Sequence, residues 1–279
     1  MSLVTLEDVL QPALKGGYAV AGLVTLGWEE MCAYVAAAEA ENVAIILQAG
    51  PGCRAHTPLP VLGAMFRTLA EGAAVPVVAH LDHGYTAQEC REAIDCGFTS
   101  VMFDGSRKPL AQNIDETAAI VEMAHAAGVS CEGEIGFVGY SGGESSAGTD
   151  PAEAAQFAEQ TGVDAMAVSV GNVHLQEQSG AGLDEDRIRA IEAVTNVPLV
   201  IHGGSGVPHA QRRKLALGSN ICKYNIGTEL RMAFGHALRA AVEKDPERFD
   251  RVAILSETHE PVVAATLKVL RALKAETPG

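Results

Sequence analysis

Aromatic residues make up only 5% of the 279-residue chain, and its six cysteines form no CxxC pair. In a chain of this length such cysteines read as reduced, mostly buried small residues, which argues against a disulfide scaffold or a zinc ribbon. No apolar run approaches the ~20 residues that span a bilayer, so no membrane partner is expected. The opening residues, Met1-Ser2-Leu3-Val4-Thr5, show no basic stretch followed by an apolar core. No signal peptide is therefore expected, and the expected location is the cytoplasm. Basic residues are also short: Lys plus Arg number 20 against 35 Asp plus Glu, a formal net charge of −15. Phosphate repulsion over such a surface excludes nucleic acid as a partner. No linker, low-complexity tract or charge block divides the chain.

What is present is apolar mass, 48% of the residues, enough for a substantial core and incompatible with disorder. Eight short apolar runs recur: Tyr18–Val24, Val43–Gln48, Pro76–Leu81, Phe98–Phe103, Val129–Ile135, Val163–Val170, Val197–His202 and Ile221–Ile226. They are nearly continuous rather than alternating, as parallel strands covered on both faces should be. Helical stretches separate them. Thr86-Ala87-Gln88-Glu89 reads as a capping box with Gly97 as the stop, and Asp150-Pro151-Ala152-Glu153 as a second helix start closed by Gly162. Gly128 and Gly218 are read as two further stops. Eight strands alternating with helices over ~250 residues predict an α/β fold of the closed (β/α)8 TIM-barrel type. One domain is expected over residues 1–279, with a C-terminal helical extension. The open doubly wound sheet is the rival, but the first run leads into Thr25-Leu26-Gly27-Trp28 without the Gly-rich turn that fold usually carries.

Barrel chemistry gathers where strands end, and there the polar residues fall. His80-Leu81-Asp82-His83-Gly84 follows the third run, Asp104-Gly105-Ser106 the fourth, and Gly171-Asn172-Val173-His174 the sixth. Glu132 and Glu134 share one face of the fifth run. His83, His174 and His202 come from three strand ends and together describe a catalytic zinc site with an open fourth position, although a single histidine would more simply be a hydrogen-bonded one. His80 is placed to orient the site rather than bind metal. His56, His125, His209, His236 and His259 fall on helices or loops. Gly203-Gly204-Ser205-Gly206 and Asn225-Ile226-Gly227-Thr228 follow the last two runs, the recurrent phosphate position of this fold, where bare backbone amides and hydroxyls meet an oxyanion. Lys223 adds charge nearby, with its direction open. The Gly- and Ser-rich stretch 140–149 reads as a mobile active-site loop.

These segments resemble, in order and from about residue 5 to about residue 240, the class II, metal-dependent fructose-bisphosphate and tagatose-bisphosphate aldolases, and the chain looks like a divergent member of that family. The matching motifs are His80–Gly84, Ser100–Ser106, Glu132–Gly136, His202–Pro208 and Cys222–Asn225. The resemblance implies a TIM barrel, a homodimer or homotetramer, and reversible cleavage of a ketose phosphate or bisphosphate into dihydroxyacetone phosphate and an aldehyde through a metal-stabilised ene-diolate. It implies Zn2+ on His83, His174 and His202, with Asp104 and Glu134 able to hold a second, divalent or monovalent, cation or a displaced metal. It makes Asp82 the acid/base at the cleaved bond and Glu144 the loop proton carrier. Gly203, Gly204, Ser205, Asn225, Gly227 and Thr228 become the phosphate and ketone subsite.

Departures from the family pattern concern the substrate. Leu175 stands where the family usually has Gly. The segments 23–26 and 49–52 lack an Asn and a hydroxyl, and no arginine is matched to the distal phosphate. These departures point away from fructose 1,6-bisphosphate. Three alternatives follow: a catalytically silent barrel serving as a binding or assembly subunit, a Schiff-base aldolase using Lys223, and a metal-dependent lyase acting on a non-phosphorylated ketone.

Overall fold

The computed structural model describes residues 2–143, 145–176, 180 and 182–274. Among the described residues nine strands form one sheet: β1 (Leu3–Val4), β2 (Val20–Val24), β3 (Ile45–Ala49), β4 (Val77–Gly84), β5 (Ser100–Phe103), β6 (Ser130–Ile135), β7 (Ala165–Val168), β8 (Leu199–Ile201) and β9 (Ile221–Ile226). The helices are α1 (Leu6–Gly16), α2 (Trp28–Glu41), α3 (Pro51–His56), α4 (Leu59–Gly72), α5 (Ala87–Asp95) and α6 (Leu110–Ala126). They continue with α7 (Pro151–Thr161), α8 (Glu185–Glu192), α9 (His209–Gly218), α10 (Thr228–Lys244), α11 (Arg251–Ser256) and α12 (His259–Leu273).

The order β4-β3-β2-β9-β8-β7-β6-β5 is parallel throughout and returns to β4, closing an eight-stranded TIM barrel. All eight predicted strands are present. The two-residue β1, which the sequence did not suggest, pairs with the start of β4 through Leu3 and Val77. Apolar continuity has a direct cause: every residue of β3, β4, β5, β6, β7, β8 and β9 is buried.

Helix α1 closes the N-terminal end of the barrel. A reciprocal Thr5–Asp8 capping box starts it. Its buried Leu6, Leu10 and Ala13 then pack inside against Val20, Ile46, Val78 and Val200. The larger core lies between the strands' outer faces and the helices, where Leu23, Leu47, Val101 and Tyr224 meet Met31, Phe66 and Phe157. Helix α12 packs on α2, α9 and β2 and so completes the ring. Arg271 and Lys274 both hold Glu41 at the end of α2, at 2.7 and 2.6 Å. The Thr86 and Asp150 caps form as read, and Gly97, Gly128 and Gly162 take positive φ. Gly218 is different: α9 runs through it and stops at Ser219. No helix among the described residues is long and apolar enough to cross a membrane.

Candidate active site

Strand residues alternate between faces, so Asp82 and His83 should point to opposite sides of β4. Both nevertheless line one pocket of about 270 Å³ at the C-terminal end of the barrel. The register of β4 on β5 shifts between Leu81 and Gly84, and His83 has φ +53°, so the strand kinks and turns both side chains inward. The apolar run ended at Leu81, but the strand itself continues to Gly84.

The three predicted histidines converge. Ring centroids lie 4.6 Å apart for His83 and His202, 5.4 Å for His83 and His174, and 5.6 Å for His174 and His202. One nitrogen from each lies within 4.8 Å of the others. His83 Nε2 and His202 Nδ1, 3.0 Å apart, face the shared space. The other nitrogens are held from behind: His83 Nδ1 is 2.8 Å from Asp104, and His202 Nε2 is 3.0 Å from Glu132. Two imidazoles oriented by carboxylates, with a third stacked on Tyr140 at 4.9 Å, form a donor set that fits zinc. Asp104 Oδ1 accepts from the Ser106 amide and hydroxyl at 3.1 and 2.6 Å while Oδ2 faces His83 Nδ1, so both of its oxygens are engaged. His83, Asp104 and Glu134 make a second group with ligand atoms within 4.8 Å, and the buried Glu134 Oε2 has no hydrogen-bond partner among the described residues.

Burial and mutual repulsion shape the charges. Burial opposes charge on His83, but Asp82, the Asp104 hydrogen bond and Glu134 outweigh it and raise the pKa to about 9. Burial, then the charge of His83, lowers His174 to about 4 and pushes His202 far down. Burial raises Glu134, and Asp104 reinforces the rise. Burial acts upward on Asp104 too, but the His83 hydrogen bond and charge hold it well below the usual carboxylate range.

Beneath the histidines lies a polar layer that the sequence only half disclosed. Lys223 points into the barrel, fully buried, with Nζ 2.6 Å from Glu132 and 3.2 Å from His80 Nε2. An ammonium only donates, so His80 Nε2 accepts and its Nδ1–H is left to donate to Ser100 Oγ at 2.8 Å. His80 thus joins Lys223 to Ser100 within this layer. Gln48, also fully buried, was missed: neither amide atom has a partner among the described residues, and a Cβ on Gly22 would come within 2.3 Å of its oxygen.

Gly203, Ser205, Asn225, Gly227 and Thr228 line the pocket; Gly204 is buried and is not among the lining residues. Gly203 has φ +64° and lies so close to Val173 that a Cβ would sit 2.2 Å from its carbonyl oxygen. Ser205 Oγ accepts from the Gly227 and Glu229 amides at 3.2 and 3.4 Å, which joins this turn to the start of α10. Asn225 donates to Asp82 at 3.3 Å. Leu175, at φ +59° and half exposed, occupies a backbone conformation suited to glycine and forms part of the wall. Arg231 also lines the pocket and was missed, although three residues after Thr228 on a helix is the same face. The loop after β6 is tied by the Phe137–Ala147 and Tyr140–His174 bridges. Glu144 lies outside the described residues. A larger cavity, about 590 Å³, opens at the opposite end of the barrel, where its charged groups Asp8, Glu41 and Lys274 serve a helix cap and an ion pair.

Comparison with known proteins agrees with this geometry. Residues 4–277 match the family model described as fructose-bisphosphate aldolase class-II. The chain is 37% identical to a fructose-bisphosphate aldolase of Geobacillus stearothermophilus, over 97% of this chain and 96% of that one. It is 36% identical to a 6-phospho-5-dehydro-2-deoxy-D-gluconate aldolase of Shouchella clausii, over 97% and 94%. Among solved structures it is similar to the YdjI aldolase of Escherichia coli K12, with a TM-score of 0.85, 29% identity and 98% of each chain covered.

Proposed function

Because the chain belongs to the class II fructose-bisphosphate aldolase family, aldolases that act on sugar phosphates, we propose that it reversibly cleaves a ketose phosphate or bisphosphate into dihydroxyacetone phosphate and an aldehyde, with zinc held by His83, His174 and His202. The observation that carries this reading is the convergence of three imidazoles beside Asp82, whose Oδ1 lies 3.9 Å from His83 Nε2. Bound zinc supplies a Lewis acid for the ketone oxygen, where charge accumulates as the carbon–carbon bond breaks.

The chain's own residues perform the rest. Asp82 receives the hydroxyl proton at the cleaved bond, oriented by the Asn225 amide on its Oδ1. The Gly203–Ser205 stretch and Thr228 at the start of α10 present backbone amides, with the Ser205 and Thr228 hydroxyls, to the phosphate. Asp104 and Glu132 fix the rings of His83 and His202, and Asp104 with Glu134 forms the position for a second or displaced cation. The working unit is one barrel domain whose helical C-terminal part ends in α12, the helix that completes the ring, assembled as a homodimer or homotetramer in the cytoplasm.

Lys223 is poorly placed for Schiff-base chemistry. A nucleophilic amine must be neutral and reachable, whereas this one is paired with Glu132 below the histidines. A silent subunit is disfavoured by the presence of Asp82 and all three histidines. The test is a screen of ketose mono- and bisphosphates for release of dihydroxyacetone phosphate. Activity should vanish on chelation, return with zinc, and be lost in Asp82→Ala. Activity that survives complete chelation, or substrate trapped on Lys223 by borohydride, sinks the reading.

A further inference from the structure

The kink that brings Asp82 and His83 into one pocket removes their backbone from the barrel ladder. In β4, His80 pairs with Ser100 and Leu81 with Val101, but Gly84 pairs with Phe103, so Asp82 and His83 together oppose Met102. The His83 amide donates to the Met102 sulfur at 3.4 Å, a weak acceptor. Buried carbonyls freed in this way need donors from elsewhere. They find them in one side chain. Arg54 Nη1 donates to the Asp82 carbonyl at 2.6 Å and to the Ala49 carbonyl at 2.8 Å, while Nη2 donates to the His83 carbonyl at 3.0 Å. The side chain is only 9% exposed, and Glu89 at the start of α5 faces Nη2 at 3.6 Å.

We propose that Arg54 is a positioning residue for the aldol site, whose guanidinium fork holds the β4 kink and so keeps Asp82 and His83 facing the same space. This rests on the zinc reading above. His83 lies within β4 yet has φ +53°, a conformation uncommon for residues other than glycine and one that surrounding contacts must hold in a strand. Relaxed to extended backbone, His83 would turn its imidazole toward the helices and away from His174 and His202. Arg54 touches no reacting atom; it acts through the backbone of two residues that do. Its place immediately after β3, on the short helix α3, lets one planar group span the ends of β3 and β4. A lysine ammonium lacks that fork.

The experiment compares wild type with R54A, R54Q and R54K. Zinc affinity of the metal-free protein is measured by competition with a chromophoric chelator, alongside kcat and KM on a ketose phosphate that wild type cleaves and the melting temperature. R54A is expected to lose about tenfold or more in zinc affinity and to lose kcat by a larger factor than KM rises, with R54K intermediate. A role confined to stability would lower the melting temperature and leave zinc affinity and kcat per folded molecule unchanged; that result overturns the proposal. Should R54A not fold, R54Q, which keeps a single NH2 group and loses the three-carbonyl span, must show the same losses in smaller measure, and wild-type values there overturn it equally. Wild type that binds no zinc would instead sink the functional reading on which this one stands.

Discussion

Lys223 and Glu132 illustrate what a single buried charge costs. Both are fully buried, and each satisfies the other's charge within 2.6 Å. Removing one partner leaves the second as an uncompensated ion in low dielectric. Lys223→Met is expected to lower unfolding stability by about 3–5 kcal/mol, and the double variant with Glu132→Gln should recover most of it. Denaturant titration of the four proteins checks this, and a single variant that loses less than about 1 kcal/mol would mean that water or a neighbour compensates the carboxylate. Neither residue could be read this way from the sequence. Burial on both faces erases the alternation that would have told inward from outward along Ile221–Ile226, and β9 also shifts register against β8. Gln48 was hidden for the same reason, as the polar end of an apolar run.

At the scale of elements, local chemistry was legible and docking was not. The Thr86 and Asp150 caps act through neighbours within three residues, so sequence alone located them. The site histidines were legible because each is a polar residue at the end of an apolar run. The same polarity misplaced the end of β4, where the functional pair interrupts the pattern that marks a strand. Helix α1 shows the other limit: its apolar residues fit a helix, but only the closed barrel reveals that they plug it. Leu10 is fully buried in that plug, beneath Val20 and Val78. Leu10→Ala should cost about 2–5 kcal/mol of stability by transfer and cavity terms. Because the plug lies at the end opposite the pocket, kcat and zinc affinity should stay at wild-type values in the folded protein. Thermal unfolding and steady-state kinetics on one preparation separate the two effects. A fall in kcat without loss of stability would place α1 in communication with the site.

For the molecule as a whole, a net charge of −15 disfavours every anion at long range, yet the proposed substrate carries phosphate. The attraction must therefore be local, from a bound cation and from the amides of Gly203–Ser205 and of Thr228 at the start of α10. That cation should also hold the barrel together, since His83, His174 and His202 come from different strand ends and meet in the folded state alone. Binding to the native state adds stability by mass action, about 2.7 kcal/mol at a zinc concentration 100 times Kd. For a domain of this size that is a rise of about 5 °C in melting temperature. The metal-free protein titrated with zinc should show this rise. Asp82→Ala should keep it, because Asp82 serves the proton and not the metal, whereas His174→Ala should lose most of it. The pair of variants divides the site into ligands and acid/base by a measurement that needs no substrate. Equal shifts for His174→Ala and wild type would remove His174 from the metal, and a shift lost in Asp82→Ala would assign that carboxylate to it.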